Sequence, residues 1–192
     1  MNNKLHSFLI LFLLGASMGA GFDYLYTVFG VSGYTTPTVG NLPWWVFPEF
    51  GLATVLIGFS HPWCDTRLHR PQTNQSWGEI FFDILCFGFV YLLSAALSSH
   101  PILCSLTLFT GGILMWVASD KTWQGVLLAI ITAIIGTGFE MTLSASGQFF
   151  YTHPHFWGVP FWLPLLYASA SMAVGNLGRK LLKPVLFNPT VH

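Results

Sequence analysis

Residues 123–143 read WQGVLLAIITAIIGTGFEMTL, and Glu140 is the only charged side chain among them. An α-helix rises 1.5 Å per residue, so about 20 apolar residues cover the roughly 30 Å hydrocarbon core of a bilayer. This stretch is therefore read as a membrane-crossing helix, and the reading extends outward in both directions. Apolar segments of the same kind run over 5–22, 44–62, 77–97, 102–119 and 160–182. Composition agrees: 53% of the 192 residues are hydrophobic and 7% are charged, against about 25% charged in soluble domains.

The basic residues orient these segments. Lys4 precedes the first, Arg67 and Arg70 lie between the second and third, Lys121 joins the fourth and fifth, and Arg179, Lys180 and Lys183 close the sixth. The other three connections contain no Lys or Arg. Cytoplasmic loops carry the Lys/Arg excess. The expected fold is thus an all-α bundle of six transmembrane helices with both termini cytoplasmic, forming one domain over 1–192. Zero net charge and dispersed basic residues argue against nucleic acid as a partner. Cys64, Cys86 and Cys104 lack CxxC spacing and are read as small apolar core residues.

In the first segment, Lys4, the run Phe8–Leu14 and the small residues Gly15–Ala20 have the order of a signal peptide. Because the apolar run continues to Phe22, the segment is read as an uncleaved helix whose Gly15 and Gly19 allow close packing. The longest connection, residues 23–43, carries Gly30, Gly33, Pro37 and Gly40 among aromatics and reads as an interfacial loop. Small residues from Ala168 to Gly175 give the sixth segment a helix-packing face. No internal repeat is discerned, and an inverted-repeat transporter has no support.

Ionisable residues at membrane depth mark candidate function. Asp23, Glu49 and Glu140 fall in the outer half with no basic residue beside them. Their plain reading is carboxylates that reach the interface or stay protonated. The sharper one is an acid/base pair or a metal site with His153 and His155, a weak signal without an HExxH-type pattern. On the inner side, Glu79 and Asp83 are spaced i, i+4, and Asp83 is the deeper of the two. Asp120 in the turn before the fifth segment reads as an N-cap. No P-loop, GxGxxG or nucleophile-elbow motif is present, so no cofactor is expected.

A lipid site needs apolar walls and a few polar groups. The fourth segment offers Ser105, Thr107, Thr110 and Gly111, and the fifth offers Thr137, Thr142, Ser144 and Ser146. Phe87 is one of several aromatics in the third and fourth segments. Against this stands the habit of membrane Ser and Thr of bonding their own helix backbone.

Several motifs occur in a particular order. Trp44-Trp45-Val46-x-Pro48-x-x-Gly51 is followed by Gly58, Pro62, Asp65, Leu68 and Pro71. Ser105-Leu106-Thr107-Leu108, Trp116 and Asp120 come next, then Tyr151-Thr152-x-Pro154-x-Phe156, Trp162-Leu163-Pro164 and Val174–Arg179. Over residues 44–182 this order closely resembles the Insig (insulin-induced gene) family. The resemblance implies a six-helix membrane bundle that is not an enzyme, binds a membrane lipid or sterol-like ligand (a diacylglycerol-type lipid is one class) and retains sterol-sensing-domain membrane proteins in sterol homeostasis. Residence would be the endoplasmic reticulum in a eukaryote and the cytoplasmic membrane in a bacterium.

It also implies partner binding at Asp120, and leads to lipid-binding expectations for Phe87, Ser105, Thr107, Thr110, Gly111, Thr142 and Ser146. The sequence departs from the animal pattern in lacking a long polar N-terminal region and in carrying Gln72–Ser76 after Pro71. The animal Asn-His pair of the third helix is replaced by Phe87-Gly88-Phe89-Val90. The alternative class is an intramembrane enzyme acting on a lipid or isoprenoid with Glu49 and Glu140 as acid and base, which requires both to share a cavity.

Overall fold

The computed structural model describes residues 3–68 and 75–186; Arg70, Pro71 and residues 72–74 lie outside them. Helix α1 (Asn3–Leu14) continues through a π turn (Gly15–Gly19) into α2 (Ala20–Val28). Strand β1 (Ser32–Tyr34), α3 (Val46–Arg67), α4 (Trp77–Ala96) and α5 (Pro101–Met115) follow. A second π turn (Trp116–Asp120) extends α5, and α6 (Trp123–Ala145), β2 (Phe149–Tyr151) and α7 (Leu163–Leu186) complete the fold. By length and composition, four helical stretches can cross a membrane: 5–28, 77–96, 101–120 and 123–145.

The remaining two long helices, α3 and α7, pack against each other and bury His61, Asp65, Ser169, Ser171, Asn176 and Arg179. The apolar segment read over 44–62 extends in the structure to Arg67, because His61 and Asp65 are buried against α7 rather than ending the helix. Gly15 and Gly19 pack on α3 as expected: a β-carbon on Gly19 would stand 2.7 Å from the Phe50 ring. Glu79 closes a capping box with Ser76 at the start of α4.

The all-helical class is as expected, with one addition to the loop read over 23–43: it begins as helix up to Val28, and Ser32–Tyr34 then pairs antiparallel with Phe149–Tyr151. Three residues per strand are too few for a periodic sequence signal, and each strand's partner is remote in the chain.

One expectation needs correction, the absence of an internal repeat. α2 ends at Val28 and α6 at Ala145; α3 begins at Val46 and α7 at Leu163. Each is a displacement of 117 positions, and the same displacement relates Tyr34-Thr35-x-Pro37 to Tyr151-Thr152-x-Pro154, Pro43-x-Trp45 to Pro160-x-Trp162, and Gly58 to Gly175. Contacts repeat with it. Tyr34 donates its hydroxyl to Asp23 (2.6 Å), as Tyr151 does to Glu140. Tyr34 meets Trp45 edge to face at 5.6 Å, and Tyr151 meets Trp162 so at 6.0 Å. Gly19 lies under the Phe50 ring and Gly136 under the Tyr167 ring.

The turns repeat too. Val39 and Leu42 form an isolated bridge, as do Phe156 and Val159, each around a residue of positive φ (Gly40 at 61°, Trp157 at 41°). Where the halves meet, Gly58 abuts Gly178 while Gly175 abuts His61, and β1 pairs with β2 about Gly33 and Phe150. Exchanging the halves maps each of these contacts onto another, which is a pseudo-twofold relation. Both α2 and α6 lead into the sheet, so the repeats run parallel and are not inverted. Few residues outside the loops are shared between the halves, which hid the repeat among generic apolar helix positions. The hairpin α4–α5 belongs to neither half and packs on α7 and α2.

Candidate lipid grooves and buried polar network

At the end of the bundle remote from the sheet, five elements meet around Arg179 of α7, which is buried. Its Nε donates to Asp65 Oδ2 of α3 at 2.8 Å and its Nη2 to Asp65 Oδ1 at 3.1 Å. Nη1 donates to Asn176 Oδ1 at 2.8 Å and stands 3.1 Å from Asp120 Oδ1. Asn176 passes the network on, its Nδ2 donating to Asp83 Oδ2 at 2.7 Å. Ser119 donates to Asp83 Oδ1 at 2.7 Å, and Gln124 donates to Asp65 Oδ1 at 3.2 Å. All these residues are buried, and the fork of one guanidinium pairs with two carboxylates that hydrocarbon alone could not hold, Asp120 through Oδ1 alone, its Oδ2 being without a hydrogen-bond partner.

The structure places Asp120 at the end of the π turn, fully buried. It is not the N-cap of α6. Thr122 has that position, its hydroxyl accepting from Gly125 N at 3.1 Å while donating to Asp120. The reason is the π turn followed by Lys121 at φ 55°, which turns the Asp120 side chain inward to Arg179. Asp120 presses on the Cα of Gly125, where no β-carbon fits.

Two grooves open between helices. The larger, about 790 Å³, lies between α5, α6 and α7 and is walled by Leu108, Ile113, Trp116, Ile130, Met141 and Met172. Its hydroxyls are those of Ser169, which donates to Leu165 O at 3.0 Å, and Thr137, whose buried Oγ1 has no hydrogen-bond partner. The smaller, about 580 Å³, lies between α4 and α5 and includes Phe82, Cys86, Thr107, Thr110 and Gly111.

The residues expected from sequence to bind lipid do not form one site. Thr107, Thr110 and Gly111 line the smaller groove, yet the two hydroxyls bond Leu103 O (2.9 Å) and Leu106 O (2.8 Å) of their own helix. Gly111 is held against Val90, so it also serves the α4–α5 contact. Phe87 packs on Phe22 and Tyr91. Ser105 lines neither groove. Thr142 and Ser146 bond Gly138 O (2.9 Å) and Leu143 O (2.7 Å) of α6 and also stand outside both grooves. Thr137 carried no mark beyond its place in the fifth segment.

At the sheet end, Asp23, Glu49 and Glu140 lie within electrostatic reach of one another. Glu140 accepts from both Tyr151 and Tyr167, the latter at 2.5 Å, and Asp23 accepts from Tyr34. Neither Glu49 nor Glu140 lines a groove. An acid/base pair needs a shared cavity and a free oxygen facing it, and here the tyrosines occupy Glu140. Among the described residues, no group of three or more His, Cys, Asp or Glu is arranged to hold a metal.

Long apolar helices enclosing a buried charged network, with apolar-lined grooves between them, define an integral membrane protein. The chain matches the insulin-induced protein (INSIG) family over residues 6–182, and it belongs to that family. It is 29% identical to insulin-induced gene 1 protein of Gallus gallus over 177 residues, which cover 90% of this chain and 70% of that one. Against the Homo sapiens protein it is 30% identical over 154 residues, covering 79% of this chain and 56% of its relative. The chain thus spans little more than half the length of the human protein. A crystal structure of a mycobacterial Insig homolog from Mycobacterium vanbaalenii shares the fold, with a TM-score of 0.81 at 23% identity over 94% of this chain and 96% of that one.

Proposed function

We propose that this protein is a non-enzymatic regulator that binds a membrane lipid or sterol-like molecule and retains membrane partners, crossing the bilayer six times with both termini cytoplasmic. The observation that carries the lipid half is the larger groove, about 790 Å³ and walled almost wholly by apolar side chains, with the buried, unpartnered hydroxyl of Thr137 in its wall. A buried polar group without a partner is costly, and an amphipathic ligand with one hydrogen-bonding group satisfies it while filling the apolar walls. Thr107, Thr110 and Gly111 give the smaller groove a secondary role for an acyl chain.

Asp120, being buried, acts on a partner through the shape of the α5–α6 turn and not by direct charge contact. The family's sterol-sensing partners fit this reading, in the endoplasmic reticulum of a eukaryote or the cytoplasmic membrane of a bacterium. The test is mass spectrometry of lipids retained by protein purified in mild detergent. One lipid class is expected to be enriched over bulk membrane and lost in Ala133→Trp, which fills the larger groove. Equal lipid content in both proteins would remove this groove from the function.

A further inference from the structure

The pseudo-twofold relation has an unequal outcome. The hairpin α4–α5 seats on α7 and α2, and there is no second hairpin to seat on their counterparts, α3 and α6. On α7 the seat is covered: Leu166 is 5% exposed, Ser169 0% and Ala173 2%. The positions 117 residues earlier on α3 are Glu49, Leu52 and Leu56, with Leu52 57% exposed and Leu56 69%. On the flanking helix the same aromatic is present twice. Phe22 of α2 is clasped by Phe87 and Tyr91 of α4, at ring distances of 5.7 and 4.9 Å, whereas its counterpart Phe139 on α6 stands 45% exposed.

We propose that this α3–α6 face docks a transmembrane helix pair of another membrane protein, in the manner in which α4–α5 covers the equivalent face. The chain itself shows what a face of this shape accepts, namely two antiparallel helices with an aromatic clasp. Glu49 specifies the chemistry of the visitor. Of the three carboxylates at this end it is the one whose side chain makes no hydrogen bond among the described residues, while tyrosines hold Asp23 and Glu140. Glu49 lies in the first turn of α3, at the sheet end, where a helix carrying Lys, Arg, Asn, Gln or Tyr at the same level offers it a donor; such polar contacts between membrane helices are worth about as much as a surface hydrogen bond in water.

A second copy of the chain fits poorly. Face-to-face pairing sets Glu49 against Glu49.

This inference deepens the partner half of the proposed function, and its test is separable from the lipid half because lipid content is read on the same preparations. Full-length protein carrying photoactivatable p-benzoylphenylalanine at Leu52 or Leu56 is irradiated in native membranes, with Ile102 as the lipid-facing control position. The expected result is a discrete protein adduct from 52 and 56 and none from 102. Sequencing of the cross-linked peptide should show a membrane-spanning segment of a different protein with a donor side chain. Glu49→Leu should reduce the adduct at least tenfold with the melting temperature unchanged, and Glu49→Gln should retain it. Adducts with lipid alone, with a second copy of the chain or with a peptide lacking a donor would overturn the proposal, as would an adduct indifferent to Glu49→Leu.

Discussion

Asp65 Oδ2 stands 2.8 Å from Arg179 Nε with both side chains about 1% exposed, and that pair joins the two halves of the repeat at the end opposite the sheet. Removing one member strands a charge in the bundle, at a cost of about 3–5 kcal/mol. Arg179→Met is therefore expected to lower the melting temperature strongly, and Asp65→Leu to do the same. Combining them should cost less than the sum, because the stranded charge is removed as well. Additive losses would show that the two residues act independently.

Asp120→Asn tests the network without emptying space. Asparagine can still accept from Thr122, but Arg179 loses a charged acceptor, and hydrogen bonds to charged groups are worth about 1.5–3 kcal/mol. A stability loss of that order is expected in detergent melts. Thr122→Ala should cost about 0.5–2 kcal/mol as a lost N-cap. Wild-type stability in Asp120→Asn would place the charge of Asp120 outside the stability of the fold and restore the case for a surface role.

The paired glycines give an internal control. Gly19→Ala and Gly136→Ala drive a β-carbon into Phe50 and Tyr167 and should each destabilise by about 1–3 kcal/mol, as overpacking does. Gly21 and Gly138 sit one half-turn further on in the same two helices with open space around them. Alanine there should be neutral or stabilising by up to about 1 kcal/mol. Melting curves of the four variants suffice, and indifference to position would undo the assigned packing.

Much of this was readable in advance. The helical class, the close approach at Gly15 and Gly19 and the family all follow from the sequence, since apolar run length and motif order are local properties. Asp83 was marked by its depth, but its partner Asn176 lies 93 positions away and nothing local joins them. The site residues were less legible. A membrane Ser or Thr looks the same whether it bonds its own backbone, as Thr107, Thr110, Thr142 and Ser146 do, or stands unsatisfied in a groove, as Thr137 does. The repeat was present in the letters around Tyr34 and Tyr151, and only the contacts gave it weight.

The sheet-end tyrosines predict a pH dependence. Burial, and then Asp23, pushes the Tyr34 hydroxyl above the ordinary phenol range, and burial followed by Glu140 does so for Tyr151. In the unfolded chain a tyrosine ionises near about 10. Below that value both states hold the proton and the stabilising contribution is complete. Above it the unfolded chain releases protons that the folded one keeps, so stability falls as pH rises. Melting temperature should decline beyond about pH 10, and less steeply in Tyr34→Phe. Equal slopes would remove Tyr34 from the titration.

Orientation is open to a direct measurement. Single cysteines replacing Thr36 and Lys121, both exposed, should label from opposite sides of sealed membranes. Same-side labelling would overturn the six-span arrangement.

The ribbon of Ser32–Tyr34 and Phe149–Tyr151 sets a schedule for synthesis. When Tyr34 leaves the ribosome its partner strand has not been translated, and it must wait while four more helices are made. Until then the first half presents an unpaired strand edge at the membrane surface and an α3 without its counterpart α7. A chain ended between Tyr34 and Phe149 thus carries β1 without the strand that pairs with it.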